Sequence, residues 1–151
     1  MAVQALNVLV LQGPNLDRLG RREVERYGRV GLADIHAQLE EVAASVGAKL
    51  RVVVSAREGE LIEAIHAASD DGFAGAVVNA GAFTHTSVGI RDALLSRPLP
   101  FVEVHLTNIF AREPFRRASL LADVAIGGVS GLGAAGYEAA LRGLVAHRRA
   151  G

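Results

Sequence analysis

Residues 6–12 read "LNVLVLQ", an apolar, branched run that stops at Gly13-Pro14. It is too short for a helix of ordinary length. Its lack of apolar and polar alternation marks a strand covered on both faces, as in the middle of a parallel sheet. Such a strand needs helical layers above and below it, and the rest of the chain supplies them. Leu32, Ile35, Leu39, Val42 and Val46 recur at helical spacing, with Gly47 placed for a left-handed C-terminal residue. "KLRVVVS" at 49–55 is the next strand. Leu61, Ile62 and Ile65 trace a second helix, with Ser55 and Glu58 at capping-box spacing ahead of it. "AGAVVNA" at 74–80 reads as a third strand, Thr84–Leu95 as a helix stopped before Pro98, and "PFVEVHL" at 100–106 as a fourth strand. "ADVAIGGV" at 122–129 reads as a fifth, and a last helix runs from about Gly133 to His147.

Strand and helix alternate with short connections, so right-handed crossovers build a five-stranded parallel sheet with helices on both faces. The fold class is α/β, flavodoxin-like and doubly wound, with strand order 2-1-3-4-5. Ligands of such sheets bind beyond the carboxyl ends of the strands, at the switch point between the first and third.

Composition narrows the partners. With 151 residues, half of them hydrophobic, the chain reads as one compact domain spanning 1–151. A formal net charge of +0 removes the broad basic footprint expected of a nucleic-acid or anionic-membrane binder. Nor does any apolar run approach the roughly 20 residues of a membrane helix. Cysteine is absent, and the start "MAVQALNVLVLQG" lacks the pattern of a secretory signal, so the expectation is a cytoplasmic, unanchored protein. His36, His66 and His147 fall on the polar sides or ends of helices without clustered carboxylates, so they read as surface residues and no metal is expected.

Chemistry gathers at the strand ends. The first strand ends at Gln12, followed by Asn15, and the third at Asn79-Ala80-Gly81. On the fourth, Glu103 and His105 are two apart and share a face, where a carboxylate beside an imidazole favours a general acid; the competing reading is a satisfied core pair. Thr84, His85, Thr86 and Ser87 fall at a predicted helix start, where free N–H groups and hydroxyls suit an anionic or polyhydroxylated ligand, or simply cap the helix. "NIFAREPFRRAS" at 108–119 carries Arg112, Arg116 and Arg117, whose guanidinium forks suit carboxylates and hydroxyls if they turn inward rather than to solvent. "GLGAAG" at 131–136 fits a dinucleotide fingerprint but opens the last helix instead of following the first strand, so it reads as close helix packing.

Taken together, "GPNLDRLGRRE" followed by "YG", "NAGAFTHTSVGIRDAL" and "EVHLTNIFAREPFR" resemble the three motifs of the type II 3-dehydroquinate dehydratases, in order and over nearly the whole chain. These are enzymes of the shikimate and quinate pathways, serving aromatic amino acid biosynthesis or quinate catabolism. The resemblance implies an anti elimination of water from 3-dehydroquinate, through an enolate, to 3-dehydroshikimate, without cofactor, metal or Schiff base. By the same resemblance Tyr27 is the base at C2, activated by Arg22 and Arg112. Asn15 holds the water that stabilises the enolate, and His105, oriented by Glu103, protonates the departing C1 hydroxyl. Asn79, Gly81, His85 and Arg116 grip substrate hydroxyls, the N–H groups of Leu106 and Thr107 take the carboxylate, and Asp92 reaches a neighbouring subunit's site. It also implies a homododecamer built from trimers.

Physical chemistry fits this assignment. Bringing a tyrosine from a pKa near 10 to an even mixture at neutral pH takes roughly 3 units, or about 4 kcal/mol, which close arginines in a water-poor site can largely supply. The alternative lysine route has one candidate, Lys49, at the start of the second strand and far from the ligand end. The chain departs from the family at Gln12, Val24, Phe83, Phe110, Ala118 and Leu120, so a modified paralogue acting as a small-molecule binding module is the competing reading. A nucleotide carrier is disfavoured, because the first loop lacks a phosphate cradle. The arginine-rich stretch 17–31 reads as a lid, with Arg18, Arg21, Arg26 and Arg29 turned to solvent or subunit contacts.

Overall fold

The computed structural model describes residues 2–21, 25 and 30–151. Leu6–Gln12 forms β1, flanked by β2 (Ala48–Val54) and β3 (Gly75–Asn79), with β4 (Phe101–His105) and β5 (Gly127–Ser130) beyond. All pairings are parallel, in the order β2-β1-β3-β4-β5. Between and after the strands run α1 (Leu32–Val46), α2 (Glu58–Asp70), α3 (Val88–Ser96) and α4 (Ala135–Ala150). Short 3-10 turns at Leu16–Arg18, Gly81–His85, Ile109–Ala111 and Pro114–Arg116 crowd the carboxyl edge of the sheet.

The continuous apolar run of β1 serves two cores. Val8 and Val10 point into a layer with Leu39 of α1 and Leu141 and Leu144 of α4. Leu9 and Leu11 point the other way, among Leu61 and Ile65 of α2 and Ile90 and Leu94 of α3. Each of these four strand residues is sealed from solvent, a burial worth about 1.5–3 kcal/mol per side chain. The alternation continues past the core. Gln12 and Asn79 share the parity of Val10 and Val77 and face α1 and α4, whereas Glu103 and His105 share that of Phe101 and face the α2 and α3 side.

Three boundaries differ from the sequence reading. The fifth strand begins at Gly127, not at 122, because the amides of Val124 and Ala125 are spent on the Leu121 carbonyl in a turn that seals the α2 and α3 layer. The helix expected from Thr84 begins at Val88, capped by Ser87, whose Oγ accepts from the Ile90 amide at 2.9 Å. Thr84 and His85 belong instead to the preceding 3-10 turn. At α2 the helix opens after Arg57, whose amide donates to Ser55 Oγ at 2.9 Å, while the Ser55 hydroxyl meets Glu60 rather than Glu58. By contrast, α1 ends at Gly47 in the left-handed conformation, as the sequence indicates.

Candidate active site

The loop after β1 and the loop after β3 interlock. Gly13 donates its amide to the Asn79 carbonyl at 2.8 Å and lies so close to Ala80 that a Cβ there would stand 2.2 Å from the Ala80 oxygen. Gly81, at φ +59, meets Pro14 in turn. Only residues without side chains allow this approach. Asn15 then takes φ 69, and among the described residues it is the one non-glycine in the left-handed region, a conformation asparagine tolerates better than most. It starts the Leu16–Arg18 turn, and Leu16 and Leu19 are buried beneath it.

These loops and the segment after β4 enclose a cavity of about 240 Å3 at the carboxyl edge of the sheet. Asn15 comes to it from β1, Asn79, Gly81 and His85 from β3 and its turn, and His105, Leu106 and Thr107 from β4. Arg112 and Arg116 close the far wall. The structure thus brings together nine of the residues singled out in the sequence. Asp92 is exposed on α3, outside this cavity. Arg22, Val24 and Tyr27, with Arg26 and Arg29, lie outside the described residues.

His105 and Glu103 are 7% and 5% exposed. Nε2 of His105 stands 3.2 Å from Oε2 of Glu103, but out of line for a hydrogen bond, so the two are close neighbours that share no proton. The directed partner of Glu103 is Ser119, whose hydroxyl donates to the same Oε2 and accepts from the amides of Leu121 and Ala122. A buried carboxylate needs such donors. No spacing rule would have found Ser119, which comes from a turn 16 residues further along the chain.

On the opposite wall His85 gives its Nδ1 proton to the Ala118 carbonyl at 2.7 Å, which leaves Nε2 as an acceptor for a ligand hydroxyl. Arg112 donates to Thr107 Oγ1 at 3.2 Å, and Arg116 pairs with Glu113 at 2.8 Å. The Glu113 carboxyl is held below its usual range by its own backbone amide and by Arg116 and Arg112, so it stays ionised. Arg117 turns outward, its Nε bonded to the Arg112 carbonyl. The cavity is therefore lined by guanidinium, imidazole and amide groups, which suits a small polyhydroxylated acid.

Beneath Asn79 lies a polar group that the sequence reading did not assemble. Gly81 N–H donates to Asn79 Oδ1 at 3.1 Å, Asn79 Nδ2 donates to the Tyr137 hydroxyl at 2.8 Å, and that hydroxyl donates to Gln12 Oε1 at 2.8 Å. Gln12 Nε2 then meets Nε2 of His36 at 3.3 Å. His36 is accordingly half-buried against β1 rather than a surface residue, and burial lowers its pKa from 6.5 against the opposing charge of Glu40. His66 and His147 are exposed. Burial pushes the Tyr137 phenol up to about 12, with its bonds to Asn79 and Gln12 acting the other way. The available signals were an amide ending an apolar strand and a tyrosine at a core position of the last helix.

Lys49 lies at the amino end of β2, remote from the cavity, and Gly136 brings α4 against Val129. Among the described residues, no group of three or more His, Cys, Asp or Glu is placed to hold a metal, and no helix is long and apolar enough to cross a membrane.

The family described as Dehydroquinase class II matches the chain over residues 6–145. A 3-dehydroquinate dehydratase of Halorhodospira halophila is 54% identical over 138 residues, 91% of this chain and 93% of that protein. One from Bordetella petrii is 52% identical over 143 residues, 95% and 99% of the two chains. The crystal structure of type II dehydroquinase from Propionibacterium acnes superposes with a TM-score of 0.89 at 39% identity, covering 96% of this chain and 99% of that one.

Proposed function

The chain belongs to the class II dehydroquinase family, and from that premise we propose that it removes water from 3-dehydroquinate to give 3-dehydroshikimate through an enolate. The C2 proton leaves to a base, its electron pair is held on the C3 oxygen, and the C1 hydroxyl departs as water once protonated. The new double bond is conjugated with the ketone.

The observation that carries this reading is the convergence, at one strand-end cavity, of His105 backed by Glu103, amide groups at Asn15 and Asn79, and the guanidinium groups of Arg112 and Arg116. His105 is the acid for the C1 hydroxyl, and Asn15 holds the water that steadies the enolate oxygen. Asn79, Gly81, His85 and Arg116 take the hydroxyls, and the amides of Leu106 and Thr107 take the carboxylate. Of the two tyrosines in the chain, Tyr137 is ruled out as base. With a pKa of about 12 it stays protonated at neutral pH, and its one proton is committed to Gln12. That supports Tyr27 as the base, with Arg22 and Arg112 lowering its proton affinity. The active form is a cytoplasmic homododecamer of trimers in which Asp92 approaches a neighbour's site.

The test adds purified protein to 3-dehydroquinate and follows the ultraviolet absorbance of the enone product, with borohydride in a parallel reaction. A rise in absorbance is expected, and protein treated with borohydride in the presence of substrate, then freed of both, should keep its activity on fresh substrate. No rise refutes the activity, and inactivation by borohydride only in the presence of substrate refutes the mechanism without a Schiff base.

A further inference from the structure

The chain of polar groups beneath Asn79 has a direction, set by a single atom. A backbone N–H can only donate, so the Gly81 amide requires Asn79 to turn Oδ1 toward it. The other end of that side chain is then an NH2, which requires the Tyr137 oxygen to accept. A phenol has one proton, and it must go to the remaining neighbour, which requires Gln12 to present Oε1. Gln12 in turn presents Nε2–H to His36, whose Nε2 must offer a lone pair. Each donor points from the Gly81 amide toward α1, and no member can reverse without leaving two donors or two acceptors face to face. In a buried site such a clash costs far more than a hydrogen bond gains.

We propose that Tyr137, Gln12 and His36 are positioning residues, a one-way hydrogen-bond chain that holds the Asn79 amide in the single orientation in which it receives substrate. The inference rests on the proposed role of Asn79 in gripping a substrate hydroxyl. None of the three touches the cavity itself. They act by denying the amide its flipped state and by filling the bonds that would otherwise draw it away from the ligand. Gln12 matches this task geometrically, because its parity aims it at α1 and α4, the two elements that contribute His36 and Tyr137.

The experiment compares Tyr137→Phe, Asn79→Ala and the double variant by steady-state kinetics on 3-dehydroquinate. Uniform ground-state binding appears in KM, whereas partial unfolding lowers the active fraction and leaves KM alone. Tyr137→Phe is expected to raise KM by roughly 5- to 10-fold with kcat within about twofold, the size of one lost buried hydrogen bond. In the Asn79→Ala background the same change should add nothing further to KM. If Asn79→Ala leaves KM unchanged, the role given to Asn79 fails. If Asn79→Ala raises KM while Tyr137→Phe does not, or if the two effects multiply, the positioning chain is overturned and the role of Asn79 stands. Should Tyr137→Phe not fold, Gln12→Met cuts the chain one bond further on and carries the same expectations. The unaltered protein gives an independent readout: nitrogen-15 shifts above neutral pH should show His36 as the Nδ1-protonated tautomer, and the Nε2-protonated tautomer would refute the stated direction.

Discussion

Replacing Gly13 with alanine tests the joint on which the cavity is built. The added Cβ falls 2.2 Å from the Ala80 carbonyl oxygen and 2.4 Å from its carbon, both backbone atoms, which cannot turn aside as a side chain would. Recovering an ordinary contact requires the two loops to part by about 1 Å in a region packed to crystal-like density. Two consequences are expected. Overpacking of this kind costs roughly 1–3 kcal/mol, read as a lower urea midpoint at fixed protein concentration. The retreat also carries Asn15 away from Asn79 and Gly81, and a misplacement of about 1 Å costs on the order of 100-fold in kcat/KM. The control is Gly59→Ala in α2, where a Cβ meets nothing within 4 Å. It should gain about 0.5–1 kcal/mol and leave the kinetics alone. A Gly13→Ala protein with the parent midpoint and kcat/KM within about twofold of the parent would refute the interlocked-loop account.

Other perturbations probe separate parts of the site. Ser119→Ala removes the directed donor from a buried carboxylate, so unfolding should ease by roughly 1.5–3 kcal/mol in a denaturant titration, and turnover should fall more than affinity; an unchanged midpoint would leave Ser119 without a role. Tyr27→Phe should lower kcat by orders of magnitude while binding of a substrate analogue by calorimetry stays close to the parent, and full turnover would remove Tyr27 as base. For His36 the folded-state pKa lies below the ordinary 6.5, so the unfolded chain binds more protons on the acid side of that value. Stability should therefore fall as pH drops below 6.5 and level off below the folded value. Subtracting the profile of His36→Asn should isolate this loss, and a difference that is flat with pH would contradict it.

Much of this architecture was legible because its causes are local. The double-sided burial of β1 is written in "LNVLVLQ", and the helical spacing from Leu32 to Val46 gives α1 almost to the residue. The strand-end rule then located the cavity, since any five-stranded sheet of this order exposes the same edge to ligand. What stayed hidden depends on turns and on distant partners. The segment at 122–126 has strand-like composition, yet the hydrogen bonds to Leu121 decide it, and these answer to a core contact rather than to propensity. The position of Thr84 just before a helix was visible; that Ser87 and not Thr84 caps it was not, because either side chain satisfies the same local rule. His36 looked like a surface residue on its helical wheel. It is half-buried, with Gln12, a polar residue at the end of an apolar strand, opposite it.

Tyr137 follows Gln12 by 125 residues and Asn79 by 58, and it lies on the last helix of the chain. Among contacts in the fold this is one of the most non-local, and non-local contacts are the last to repay the entropy of closing the chain. During synthesis, strands β1 to β4 leave the ribosome before the residue that completes the floor of the site. Until α4 docks, the amides of Gln12 and Asn79 face an open, wetted groove, and the pocket has no rigid base against which a small acid can settle. Ligand affinity in this architecture is thus a report on chain completion: the helix that brings Tyr137 to the floor of the site also brings Leu141 and Leu144 against Val8 and Val10, so the sheet and the site are completed together.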